Sequence, residues 1–330
     1  MIEKRLRNVV VSGYGYKIKS RKGIIVIKKE DEKFYFSPKE VEQLIIAGDA
    51  LITSGAVINL VKNKVDVVFV EHGPNFLARV VRNDYNFITD LHRKQIVITE
   101  GRKLDIAKEI VDALIYNKIR MLQQIQKNRD IDFSMEIDYL KEYRTGIENV
   151  SSKNILMGIE GEATKMYFSA FKRIIPKELG FIRRVKHPPM DPVNSMLSYG
   201  YTILFSRVSY ALMLAGLNVF EGIFHESYRD RMALAYDAME EFRQPIVDRV
   251  VITMVVRNMV GFDDFKMKSD MCYMEDDFKK KYLELLYSRF EERYNYEGKD
   301  YEFLDIIHEQ AKKLANAILK DEKYNAFRYR

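Results

Sequence analysis

At 330 residues, with 47% hydrophobic and 31% charged side chains, the chain has material for one large domain or two ordinary ones with an ample core. A net charge of +6 favours a polyanionic partner without requiring one. The single cysteine, Cys272, excludes disulfides within the chain and cysteine-based zinc sites. No apolar run is long enough to span a bilayer, and the opening M-I-E-K-R-L-R-N has no signal-peptide core, so a cytoplasmic location with no membrane partner is expected.

In chain order, the first part is strand-like. Val9–Val11, Tyr14–Ile18, Gly23–Ile27, Phe34–Phe36, Leu44–Ile46, Val65–Phe69 and Phe76–Val80 are short β-branched or aromatic runs separated by Gly, Asn, Asp and Lys turns. One helix interrupts them, with Ser54 as its expected N-cap and Ala56, Val57, Leu60 and Val61 along its apolar side. The spacing predicts a small β-sandwich-like domain over 1–83. From 84 onward the apolar residues take helical spacing. Ile106, Ile110, Ala113, Leu114 and Asn117 share a face, Met196–Leu214 is a nearly all-apolar helix, and Pro245 opens a helix that buries Val247, Val250, Val251, Met254 and Val255. Two further amphipathic helices are expected over Asp276–Arg293 and Asp300–Leu319. The fold class is therefore α+β: a β-rich N-terminal domain, then a larger all-α domain over 84–330.

Three separate stretches carry candidate chemistry. I-F-H-E-S-Y-R-D-R-M-A-L-A-Y-D-A-M-E-E-F-R at 223–243 holds His225, then Asp237 and Glu240 three apart on one side of a predicted helix. Glu160 lies in L-M-G-I-E-G-E-A-T-K-M-Y-F, aligned with the apolar Leu156, Ala163 and Tyr167. A lone His beside an apolar helix reads first as a satisfied packing residue, and a lone helix acid as an ordinary solvated one. Together they form the mixed oxygen and nitrogen set that Mg²⁺ or Mn²⁺ accepts, with no thiolate to compete. Neither His225-Glu226 nor His308-Glu309 completes an H-E-x-x-H zinc helix, no phosphate-binding G-x-x-x-x-G-K-[ST] loop is present, and Gly13-x-Gly15 lies among strands. No G-x-S-x-G elbow anchors serine chemistry. Basic residues crowd the same stretches: Arg183, Arg184, Lys186 and His187, then Arg229, Arg231 and Arg243. They read either as a solvated surface or as contacts to a phosphodiester backbone, and Arg184, Lys186, Arg229 and Arg243 are the predicted DNA-binding residues.

Four landmarks in order resemble a known family over essentially the whole chain: L-M-G-I-E-G-E-A-T-K-M-Y-F at 156–168, R-V-K-H-P-P-M-D-P-V-N-S-M-L-S-Y-G-Y at 184–201, G-I-F-H at 222–225 and L-A-Y-D-A-M-E-E-F-R at 234–243. That family is the CRISPR-associated endonuclease and integrase of spacer acquisition, the first-numbered Cas protein. The resemblance implies metal ligation by Glu160, His225 and Glu240, with Asp237 as an accessory catalytic acid and Mg²⁺ or Mn²⁺ as cofactor. It implies joining of the 3′-OH ends of spacer DNA to CRISPR repeat DNA, a homodimer formed through the N-terminal domain, and the second-numbered Cas protein bridging two dimers. A departure from the family pattern is His187, where many relatives carry Arg. A ligating His225 must be neutral, so metal binding is expected to weaken below about pH 6. Two alternatives stand beside this reading: a non-catalytic DNA-binding or assembly subunit, and a related mobile-element integrase.

Overall fold

The computed structural model describes residues 2–5, 7–70, 76–80, 89–186, 188–269 and 271–330. The chain divides into two compact units, Met1–Tyr85 and Asn86–Arg330. The boundary expected at 83/84 falls outside the described residues, as does His187.

The first unit runs β1 (Ile2–Arg5), β2 (Asn8–Ser12), β3 (Tyr16–Arg21), β4 (Ile24–Lys29), β5 (Glu32–Phe36), β6 (Gln43–Ala47), β7 (Ala50–Ile52), α1 (Ser54–Lys62), β8 (Asp66–Val70) and β9 (Phe76–Val80). One sheet has the order β1-β2-β6-β8-β9 and the other β5-β4-β3-β7. Period-two alternation explains how they meet. Val9, Val11, Leu44, Ile46 and Val67 of the first sheet share one buried cluster with Tyr16, Ile18, Ile25, Ile27 and Phe36 of the second, and Ala56 and Leu60 of α1 join it. The unit is thus the expected two-sheet sandwich, but with mixed strands: β2–β6, β6–β8 and β3–β7 pair in parallel. Parallel neighbours need a crossover, and the β6-to-β8 crossover carries β7 and α1. The sequence patterns miss the short β1 and β7. The N-cap of α1 is Thr53, one residue earlier than expected, with its hydroxyl accepting from the Ala56 N–H at 3.3 Å.

The second unit is helical: α2 (Thr89–Val97), α3 (Glu100–Asn128), α4 (Ser134–Gly146), α5 (Lys153–Lys172), α6 (Pro192–Leu214), α7 (Ala233–Met239), a π-helical turn at Arg243–Asp248, and α8 (Arg249–Val256). A hairpin of β10 (Phe265–Lys268) and β11 (Met271–Met274) follows, then α9 (Asp276–Phe290), a second hairpin of β12 (Arg293–Tyr296) and β13 (Lys299–Glu302), and α10 (Phe303–Leu319). The two hairpins were not anticipated. The second shortens both flanking helices, because Glu297 and Gly298 turn the chain at φ 52° and 81° between alternating tyrosines.

Helix α3 is the central strut, buried on more than one side through Ala113, Leu114, Ile115, Asn117, Lys118 and Ile119. Asn117 ties distant segments together. Its amide donates to the Glu241 carbonyl at 2.8 Å and the Phe327 carbonyl at 3.1 Å, and accepts from the Tyr329 N–H at 2.8 Å. The Glu241 carbonyl is free to accept because Pro245 has no N–H to return to it. The same missing donor explains why the backbone opens into a π turn here instead of continuing α7. Val247, Val250, Val251, Met254 and Val255 are all buried, as the spacing predicts.

Candidate functional site

Four turns and helices of the second unit bring the predicted residues into one neighbourhood. Glu160 projects from the middle of α5, His225 follows the Gly222 turn, Asp237 sits in α7, and Glu240 stands where α7 gives way to the π turn. Gly222 is required there. A Cβ at that position would overlap the His225 carbonyl and crowd the Ala233 side chain, so only glycine lets the G-I-F-H turn lie against α7.

Asp237 has no exposed surface and is fully engaged. Its Oδ2 accepts from the Ile223 N–H at 2.8 Å and the Phe224 N–H at 3.0 Å; its Oδ1 accepts from the His225 N–H at 2.9 Å and lies 2.6 Å from His225 Nδ1. The carboxylate therefore shapes the turn and aims the imidazole, leaving Nε2 as the ring's remaining ligand atom. Burial pulls the His225 pKa down, but the hydrogen bond and charge of Asp237, with the charge of Glu240, outweigh it and leave the ring above its ordinary value. A proton accordingly competes with an ion at His225 at higher pH than the unperturbed imidazole implies.

Glu240 is buried and forms a 2.9 Å ion pair with Arg243. Burial raises its pKa; Arg243 opposes this, the charge of Glu160 adds to it, and Lys118 and His225 oppose it. Glu240 thus senses the charge of both Glu160 on α5 and His225 in the preceding loop. The donor set, two carboxylates and an imidazole steadied by a buried acid, suits a divalent cation with oxygen and nitrogen preference. Among the described residues, however, no three His, Cys, Asp or Glu side chains converge into a ready-made metal nest. Arg243 on Glu240 and a hydroxyl on Glu160 hold these carboxylates instead.

Arg184 and Arg243 are bound up in the protein. Arg184 donates to Asn194 Oδ1 at 2.9 Å and Ser198 Oγ at 3.0 Å and lies 5.4 Å from the Tyr201 ring, while the Arg243 guanidinium lies 4.7 Å from the same ring. The R-V-K-H-P-P-M-D-P-V-N landmark is largely this lock. Asp191 caps α6, and Asn194 accepts from the Val185 N–H at 2.9 Å and donates to the Arg183 carbonyl at 2.8 Å. Lys186 is exposed, with Arg243, Glu240, Arg184 and Glu160 all acting on its ammonium. Arg229 is exposed at φ 49°, its guanidinium 5.0 Å from the Tyr228 ring.

Two residues at the site were not among those singled out. Asp248 is completely buried and accepts from the hydroxyls of Tyr167 at 2.9 Å and Tyr201 at 2.5 Å, so it joins α5 and α6 to the π turn. Burial pushes its pKa up to about 6 against those hydrogen bonds. An acid inside the apolar P-I-V-D-R-V-V run was the available signal. The other is Lys118 on α3, 1% exposed, whose ammonium donates to Thr164 Oγ1 at 2.5 Å. No pattern marked it, because a lysine in a long helix ordinarily faces water.

Comparison with known proteins matches residues 9–288 to the family model described as CRISPR associated protein Cas1. A protein of Methanospirillum hungatei named CRISPR-associated endonuclease Cas1 1 is 31% identical over 98% of this chain and all of its own length. One of Archaeoglobus fulgidus with the same name is 29% identical, covering 97% of this chain and 98% of that protein. In fold, the chain is similar to a casposase bound to integration product, with TM-score 0.87 at 23% identity over 98% of this chain and 94% of that one. It also matches one chain of a Cas6-RT-Cas1–Cas2 complex, with TM-score 0.83 at 25% identity, covering all of this chain and 37% of that one.

Proposed function

The chain belongs to the Cas1 family of CRISPR-associated proteins, and from that premise we propose that it is a divalent-metal-dependent DNA endonuclease and integrase of CRISPR adaptation. The observation that carries the reading is the His225 ring, held by Asp237 at 2.6 Å with Nε2 left over, beside a buried Glu240 that senses the charge of both Glu160 and His225. These three residues would hold Mg²⁺ or Mn²⁺. When bound, the ion supplies Lewis-acid polarisation of a phosphate and offsets charge on the attacking and leaving oxygens. The chain's own part is to aim and to balance. Asp237 fixes the His225 ring so that Nε2 faces outward, and Asp248 with its two tyrosines keeps α5, α6 and the π turn in register. The reaction exchanges one phosphodiester for another, with a DNA 3′-OH as nucleophile, so it needs no nucleotide hydrolysis. With water as nucleophile the same site nicks DNA.

The partners follow from the same premise: spacer-precursor and repeat DNA, a second copy of this chain through the β-rich unit, and the second-numbered Cas protein bridging two dimers. The resemblance to a chain of a Cas1–Cas2 complex supports this. Lys186, exposed and within reach of the charges of Glu240 and Glu160, is the first phosphate contact to test, with the exposed Arg229 next. Arg184 and Arg243 serve DNA only by giving up the internal partners described above.

Half-site joining of a short duplex to repeat DNA, with Mn²⁺ or EDTA, tests the reading. Glu160→Ala and His225→Ala are expected to abolish joining while circular dichroism and elution volume stay those of the parent. Full joining by either variant, or joining in EDTA, overturns it. A subunit that binds DNA but never joins it with any divalent ion answers to the non-catalytic alternative.

A further inference from the structure

Lys118 is a buried cation that needs a reason. Removing an ammonium from water is unfavourable unless partners compensate, and it is 1% exposed. Burial lowers its pKa, the charges of Glu160, Glu240 and Asp248 raise it, and Arg243 adds to the lowering. Its hydrogen-bond partner is Thr164 Oγ1 at 2.5 Å, and Thr164 is hydrogen-bonded in turn to Glu160 Oε1 at 2.6 Å. The Tyr167 ring lies 5.9 Å from the ammonium. The direction of this chain of bonds follows from its members. An ammonium can only donate, so the threonine oxygen accepts from Lys118, and its one proton is left for the carboxylate. One oxygen of Glu160 is thereby engaged, and through it the carboxylate is tied to α3.

We propose that Lys118 is a positioning residue of the reaction. Through Thr164 it fixes the orientation of Glu160, and its charge is the internal counter-ion that sets how tightly the acid cluster takes a divalent cation. This rests on the metal-centre reading given above. The two parts of the role predict opposite effects. Removing the charge while keeping a donor leaves the carboxylates less neutralised and tightens cation binding. Removing the threonine hydroxyl keeps the charge but frees Glu160 to rotate, and loosens it.

The test is Mn²⁺ alone, titrated into the full chain and followed by electron paramagnetic resonance of the free ion, with half-site joining as a second readout. Lys118→Gln is expected to tighten Mn²⁺ binding about threefold or more, given the size of charge interactions over such separations. Thr164→Val is expected to weaken it by a similar factor and to lower kcat for joining with the KM for DNA unchanged. Thr164→Ser, which restores the hydroxyl, returns both to the parent values. If Lys118→Gln does not fold, the Thr164 pair alone decides. Mn²⁺ isotherms within twofold of the parent in folded variants, or shifts of the same sign in both, overturn the proposal while the metal-centre reading stands. A parent protein that takes up no Mn²⁺ overturns that reading and this proposal together.

Discussion

The two units hold themselves together by different means. In the β-rich unit the inner faces of both sheets are apolar, and the buried polar side chains Asn8, Gln43 and Asp66 lie beside one another at the start of β2, β6 and β8. Asp66 is satisfied locally, by Gln43 Nε2 at 2.6 Å and Arg79 Nε at 2.8 Å. The helical unit buries Lys118, Asp237, Glu240, Glu241 and Asp248, and the charges of Glu240 and Asp248 reach Lys118. An apolar interior is stabilised by every residue that enters it, whereas a buried charge is tolerated only with a partner. Buried charges gathered in one unit mark a candidate functional site.

That contrast can be broken most sharply at Asp237. Asp237→Ala leaves the N–H groups of Ile223, Phe224 and His225 buried without an acceptor, each worth about 1–3 kcal/mol. The loop from Asn218 to Met232 is expected to lose hydrogen-exchange protection and the chain to lose Mn²⁺ binding, while protection in β2, β6 and β8 is unchanged. Equal loss in both units would show that they unfold as one body. In the β-rich unit, Ile18→Ala should cost about 2–5 kcal/mol, the usual range for a buried aliphatic truncation. Its loss of protection should be confined to the two sheets and α1.

A smaller effect is expected from pH. Burial raises Asp248 to about 6 and Glu241 to about 7, both above their unfolded values. The folded state then binds protons more tightly than the unfolded chain, so the stability these two groups contribute is fully present below about pH 4 and is lost as pH rises towards 7. Asp248 alone contributes a slope worth on the order of 2–3 kcal/mol across that window. Thermal melts of metal-free protein should show it, and Asp248→Asn should flatten it between pH 4 and 6; a parent melting curve that rises with pH across that window contradicts the assignment. Smallest of all, Lys165→Ala removes an exposed pair with Glu162 and should leave the thermal midpoint essentially unchanged. A larger change would mean that the outer face of α5 is not simply solvated.

The same contrast explains what the sequence could reveal. Alternation made β2 to β6 legible because a sandwich has one inside, and a period of two reports it directly. The amphipathic reading of α3 found Ile106, Ile110, Ala113, Leu114 and Asn117 but stopped at one face. A helix enclosed by α4, α5, α7 and the π turn has no single polar side, so Lys118 passed as ordinary. Glu160, His225, Asp237 and Glu240 were visible through their motifs, yet spacing could not reveal that Asp237 turns its oxygens to backbone N–H groups. The hairpin at 293–302 was masked by helical patterns on either side, although Glu297-Gly298 between tyrosines was there to be read.

Asn117 also has a consequence for the order in which the molecule is built. Its amide bridges α3, the backbone just before the π turn and residues 327–329, partners separated by 124 and 210 positions along the chain. Phe327 stacks on Phe242 with ring centroids 5.3 Å apart, and the Phe327 N–H reaches the Glu241 carboxylate at 2.6 Å. Contacts so far apart in sequence close only after large loops have closed. Docking of residues 327–329 is therefore expected late in folding, and until it occurs Glu241 lacks the contacts that this segment gives it.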